Sequence, residues 1–203
     1  MSNTPAALVL CGGASSRMGR PKAWLPFGPG EVLLQRVVRR LGEVARPIVV
    51  VAAPGQDLPT LPDQVQVVRD PVAHRGPLQG IASGLAALGD STELVYASST
   101  DAPFLRPEWV ARLVDLIGDH DLAIPHVDGF YHPLAALYRR GPVLNQVQTL
   151  LAEDRLRPVY LTETLRARVV IADDLREADP DLATLHNLNT PEEYERALRD
   201  AFG

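Results

Sequence analysis

Four charged residues stand where chemistry could use them: Arg17 and Lys22 beside a glycine-rich loop, and Asp70 and Asp101 at the ends of two strand-like runs. The loop holds Gly12, Gly13 and Gly19 with Ser15 and Ser16 between them, directly after five apolar residues, Ala6 to Leu10. Glycines let the backbone turn at positive φ and approach a ligand closely, so successive N–H groups can converge on anionic oxygens. Two cations on the same segment suit a polyphosphate, whose charge must be neutralised as it leaves water. A plain glycine-rich turn with two solvated basic residues would read the same way. Neither standard phosphate loop fits, because Gly19 is followed by Arg20-Pro21 rather than Lys-Ser/Thr, and GxGxxG is absent.

Asp70 closes the stretch Val65 to Arg69. In open α/β sheets ligands gather at the carboxyl ends of strands, where a carboxylate can hydrogen-bond a ribose hydroxyl or a base N–H; Asp70-Pro71 could equally start a turn. Asp101 follows an apolar run that ends in the small residues Ala97 to Thr100, and Pro103 stops the chain from continuing as a strand. One carboxylate so placed suffices for Mg²⁺, which completes its octahedron with waters and substrate phosphates. A turn or helix N-cap aspartate is the plainer reading. Asn187 and Asn189 form a polar approach to a capped helix. His74, His120, His126, His132 and His186 have no metal-ligand spacing with Cys11, so no zinc site is expected.

These groups need a frame of strands ending in loops. Ala6 to Leu10, Pro47 to Ala53, Val65 to Arg69 and Leu94 to Ser98 read as strands. Between them, Val32 to Val44, Leu78 to Leu88 and Pro107 to Ile117 carry apolar residues at helical spacing. The alternation predicts a three-layer α/β/α fold on a mostly parallel sheet. Beyond Asp121 the pattern changes: Leu122 to Pro125 and Tyr131 to Tyr138 read as strands of a hairpin around Asp128-Gly129, then a helix near Val143 to Glu153 and a strand at Val169 to Ile171. Pro191 to Ala201 reads as a closing helix with Thr190 at its N-cap.

The 203 residues suffice for one α/β domain, expected over residues 1–203. A net charge of −5 with interspersed signs argues against a nucleic-acid partner. The lone Cys11 excludes an internal disulfide, the start MSNTPAA lacks signal-peptide character, and no apolar run approaches the roughly 20 residues of a membrane span. A cytoplasmic protein without membrane association is expected.

The string LCGGASSRMGRPKAWLPFG resembles the opening block of the molybdenum cofactor guanylyltransferases, and related nucleotidyltransferases carry looser versions of it. The match continues in order through Asp70 followed by GPLQGI, Asp101 in a D-x-P pattern, His132-Pro133-Leu134 and HNLNTPEEY. The resemblance implies a Rossmann-like nucleotidyltransferase fold and transfer of GMP from GTP to molybdenum-molybdopterin, with Mg²⁺ as cofactor. It implies Arg17, Lys22 and Asp101 as catalytic residues, with Asp101 as metal ligand. Leu10, Cys11, Gly12, Gly13, Lys22, Asp70 and Asp101 would bind GTP, and Asn187 and Asn189 would lie toward the acceptor. Transient contact with cofactor-synthesis proteins or recipient molybdoenzymes is a further expectation. A cytidylyltransferase, another nucleotidyltransferase with a different acceptor, and a non-catalytic nucleotide-binding regulator remain as alternatives. Two departures stand out: Cys11 replaces the family's usual Ala, and Ala52 or Ala53 stands where well-known members carry an Asn, which shifts base recognition toward backbone groups of Leu10 to Gly12.

Overall fold

Strands β1 (Ala6–Leu10) and β2 (Ile48–Ala52) are buried at every position, as short uninterrupted apolar runs must be when both faces of a sheet are covered. The computed structural model describes residues 4–12, 20–72 and 75–203. In it, β3 (Val65–Arg69), β2, β1 and β4 (Leu94–Ser99) lie side by side and parallel. The sheet continues through β7 (Ala136–Arg139), antiparallel to β4, and then β5 (Leu122–Val127), antiparallel to β7. β5 also pairs with β6 (Phe130–Tyr131) and, in parallel, with β8 (Ala167–Ile171). Among the described residues the result is a mixed, mostly parallel sheet of eight strands.

Successive residues of β1 feed opposite faces. Ala7 and Val9 meet α1 (Leu33–Leu41) and α3 (Pro107–Ile117) in one core, through Leu34, Val37, Trp109 and Leu113. Ala6, Leu8 and Leu10 meet α2 (Gly76–Ala87) and α4 (Arg140–Ala152) in the other, through Leu78, Ile81, Val143 and Val147. These are the three expected layers. Two short helices add a leucine to each side: α5 (Leu161–Thr164) sends Leu161 into the α2 side, and α6 (Ala172–Leu175) sends Leu175 into the α1 side. A Cβ on Gly84 would stand 2.8 Å from both methyls of Leu8 and 3.1 Å from Val51 Cγ2, so glycine is what lets α2 lie this close to β1 and β2.

One expected strand breaks in two. Tyr131 to Tyr138 is not continuous, because residues 132–135 form a turn closed by Ala135 N–H on His132 O at 3.1 Å. Pro133 has no N–H to offer a ladder, and its carbonyl accepts from Tyr138 Oη at 2.6 Å instead. The break frees β7 to insert between β4 and β5 rather than extend the hairpin. The hairpin tip itself lies at Asp128-Gly129 with φ of 51° and 80°, the left-handed pair that a tight two-residue turn needs.

The closing helix α7 (Pro191–Phe202) packs on a third, smaller cluster with Leu25, Phe27 and Leu33, and Tyr194 Oη donates to Pro26 O. Glu31, next to this cluster, accepts from Arg36 at 3.0 Å and from Arg39 at 3.1 Å. The hydrogen bonds of Arg39, opposed in part by burial and reinforced by Arg36, hold the Glu31 carboxyl below the usual carboxylate range. A depressed folded pKa gives stability that is present above the unfolded-chain value of about 4.3 and lost as pH falls through the folded one. The melting-temperature gap between the wild type and Glu31→Gln is therefore expected to narrow between about pH 5 and pH 3; a gap independent of pH would show that the carboxylate charge is not what holds α1. No helix among the described residues is long and apolar enough to cross a membrane.

Candidate active site

From β1 the sheet is laid down in one direction through β2 and β3, and then in the other through β4. Such a reversal opens a crevice at the carboxyl ends of the strands. Here it is a cleft of about 540 Å³, walled by the exits of β1, β2 and β4 and by the first turns of α2. Leu10, Cys11, Gly12, Lys22, Asp70, Asp101 and Asn187 all line it. Gly13 and Arg17 lie outside the described residues. Asp70 at the exit of β3 and Asp101 at the exit of β4 are three strand spacings apart in the sheet, on the order of 14 Å.

One corner of the cleft is charged. Lys22 opens a single 3-10 turn, Lys22–Trp24, and its Nζ donates to Asp101 Oδ2 at 2.5 Å and to Asn189 Oδ1 at 3.1 Å. The side chains of Lys22 and Asp101 are 21% and 15% exposed, so the pair is sheltered yet open to a ligand. Asn189 arrives there because the segment before α7 is pinned at both ends. Leu188 N–H donates to Asp101 O at 3.0 Å, and Glu193 Oε2 accepts from Asn189 N–H at 2.6 Å and Thr190 N–H at 3.1 Å. Thr190 Oγ1 accepts from Glu193 N–H at 3.2 Å, which completes the capping box of α7. Asn189, expected toward the acceptor, thus sits on the same ammonium as Asp101.

The other end is lined by apolar side chains and backbone. Val51, Ala52, Ala53, Pro54 and Val72 form it, with Asp70 as its carboxylate. Asp70 does more than begin a turn: its N–H donates to Ala52 O at 2.8 Å, and Oδ1 accepts from Ser83 Oγ on α2 at 3.2 Å. The backbone at the exit of β1 is held as well. Leu10 O accepts from Thr100 N–H at 3.2 Å and Thr100 Oγ1 at 3.3 Å, and Cys11 O accepts from the Gln56 side chain at 3.0 Å. Burial pushes the Cys11 thiol up, against hydrogen bonds to Thr100 and Gln56, which favours its neutral form.

Sequence reasoning missed Gln56, Ser83, Thr100 and Arg75, which also lines the cleft. For Ser83 a signal existed: with Gln79 it makes an i, i+4 polar pair in an otherwise apolar helix. Gln56 and Arg75 carry none.

The donor set decides which metal would suit the corner. Among the described residues no three His, Cys, Asp or Glu side chains come together, which disfavours a closed zinc site. A single sheltered carboxylate facing an open cleft fits a hard divalent cation that takes its remaining oxygens from phosphate and water.

A family model described as the MobA-like NTP transferase domain matches residues 7–168, a span that contains Lys22, Asp70 and Asp101. A protein of Mycobacterium avium described as a probable molybdenum cofactor guanylyltransferase is 35% identical over 200 residues, covering 97% of this chain and 95% of its own. One of the same description from Mycobacterium tuberculosis is 38% identical over 173 residues, covering 83% and 84%. The crystal structure of molybdopterin-guanine dinucleotide biosynthesis protein A from Archaeoglobus fulgidus has the same fold, with a TM-score of 0.78 over 97% of this chain and 98% of that one at 21% identity. The match runs through the strands and loops that wall the cleft, and on it the chain belongs to the MobA-like NTP transferase family and is a nucleotidyltransferase.

Proposed function

We propose that the protein transfers GMP from GTP to the phosphate of molybdenum-molybdopterin in the cytoplasm, giving the guanine dinucleotide form of the cofactor and pyrophosphate. The observation that carries this reading is the meeting of Lys22 and Asp101 in one corner of a cleft whose β2 exit brings only apolar side chains, with Asp70 and Arg75 beyond it. That polarity suits a nucleoside triphosphate, with phosphates at the charged corner and the nucleoside toward Asp70. The description of the curated relatives as guanylyltransferases supports GTP over CTP.

An acceptor phosphate is already a nucleophile, so the reaction asks the protein for in-line positioning and charge stabilisation and for no general base. Asp101 would hold Mg²⁺, which supplies Lewis-acid stabilisation of phosphate charge when bound. Lys22, with Arg17 as a second cation, would offset charge on the β and γ phosphates. Asn189 keeps the Lys22 ammonium aimed into the corner, Asn187 lines the wall beside it, and Asp70 would accept from the ribose or base.

Lys22→Met is expected to remove about 2 to 4 kcal/mol of transition-state stabilisation, roughly 30- to 800-fold in turnover, measured as pyrophosphate release. Near-normal release would remove Lys22 from the chemistry. The whole reading is tested by supplying labelled GTP or CTP with loaded molybdopterin. A guanine dinucleotide product is expected, and a cytosine product, or none from either nucleotide, would overturn it.

A further inference from the structure

Gln56 ties the exits of β1 and β2 together from behind the cleft wall. Its Oε1 accepts from Ala53 N–H at 2.9 Å, and its Nε2 donates to Cys11 O at 3.0 Å with the Cys11 sulfur 3.4 Å away. The turn that carries it is itself clasped: Gln56 N–H donates to Ala53 O at 3.2 Å, and the Arg69 guanidinium donates to Ala53 O at 3.3 Å and to Gln56 O at 2.5 Å. The two exits run close at this level, since a Cβ added to Gly12 would just touch Ala53 N, at 3.4 Å. Cys11, Gly12, Ala53 and Pro54 line the cleft. One carboxamide therefore sets the spacing of two strand ends that face the ligand.

We infer that Gln56 is a positioning residue for recognition of the nucleotide base, an inference that rests on the nucleotide reading of the cleft. The argument starts from what the β2 exit lacks. Val51, Ala52, Ala53 and Pro54 bring no polar side chain to the wall, so this stretch can discriminate between bases only through backbone groups and shape. Backbone recognition is selective only when the groups are held to within about half an ångström. β1 and β2 are joined by regular ladder bonds up to Cys11 N–H on Val51 O at 2.8 Å, and past that point the Gln56 side chain takes over the link. With both amide atoms engaged, Gln56 extends the sheet's own spacing one step into the binding loop.

Two variants separate this role from a general loss of fold. Gln56→Met keeps the volume and removes both hydrogen bonds. Gln56→Glu keeps the acceptor for Ala53 N–H but can donate to Cys11 O only when protonated. GTP binding is measured by calorimetry, KM and kcat by pyrophosphate release with GTP and with CTP, and melting temperature alongside. For Gln56→Met the KM for GTP is expected to rise about tenfold with kcat nearly unchanged, and preference for GTP over CTP is expected to fall by a similar factor. Gln56→Glu is expected to be weak at about pH 8 and to recover part of the way toward the wild type, compared at each pH, only as the pH is lowered to about 4, where a carboxyl of ordinary pKa, about 4.3, takes up a proton. Wild-type GTP binding with both variants within twofold of it would overturn the inference alone. So would a loss shared equally by GTP and CTP and following the melting temperature. Failure of the wild type to bind GTP would overturn the nucleotide reading and this inference with it.

Discussion

Asp101→Ala is expected to lower turnover by about 10²- to 10³-fold while shifting the melting temperature by no more than about 2 to 4 °C. The activity loss follows from where the carboxylate stands: it is the acid of the charged corner, and no cluster among the described residues offers a substitute. The small stability effect follows from its partner. Lys22 keeps the Asn189 oxygen and reaches the open cleft when Asp101 is removed, so no buried charge is stranded. Asp101→Asn separates charge from shape, since an amide oxygen can still accept from Lys22 but brings no negative charge to a divalent cation. It is expected to be nearly as inactive as the alanine variant in pyrophosphate release, and calorimetric binding of Mg²⁺ with GTP should weaken in parallel. An asparagine variant close to wild-type turnover would mean that Asp101 orients Lys22 and does not hold a metal.

Asp179→Ala is expected to do the reverse, destabilising the fold by about 2 to 4 kcal/mol, or roughly 5 to 12 °C in melting temperature. Asp179 is fully buried and does not line the cleft. Its Oδ2 accepts from Thr184 N–H at 2.8 Å, and its Oδ1 lies 3.2 Å from Arg106 Nε as an ion pair that falls short of a directed hydrogen bond. Thr184 Oγ1 in turn accepts from Arg106 N–H at 3.2 Å, which ties the chain leading to Asn187 to the start of α3. Truncation leaves a buried N–H without its acceptor, while the half-exposed Arg106 can turn to water, which keeps the cost below that of a fully buried pair. Asp179→Asn should cost less, because an amide oxygen can still serve Thr184. A melting temperature within about 2 °C of wild type for Asp179→Ala would show that the segment after α6 is held by packing alone.

The sequence by itself determined the main strands and helices and the acids at their ends, though not the break at Pro133 or the short helices α5 and α6. A short strand-forming run followed by Asp places that carboxylate at a strand's carboxyl end through covalent connection, whatever the strand pairs with, so the positions of Asp70 and Asp101 are legible in the sequence. Thr190 and Glu193 likewise mark the start of α7 because a capping box is made within four residues. Tertiary structure alone decided which strand stands beside which and which side chains meet. The pattern of β7 says strand, but its place between β4 and β5 depends on which sheet edges are open and on the turn at Pro133. Asn189 reaches Lys22 across 167 positions of the chain, and Gln56 reaches Cys11 across 45. Contacts of that kind leave no periodic trace in a sequence, because a polar residue in a loop is soluble wherever it points. Its partner is chosen only when helices packed on both faces of the sheet bring the loops together over one edge.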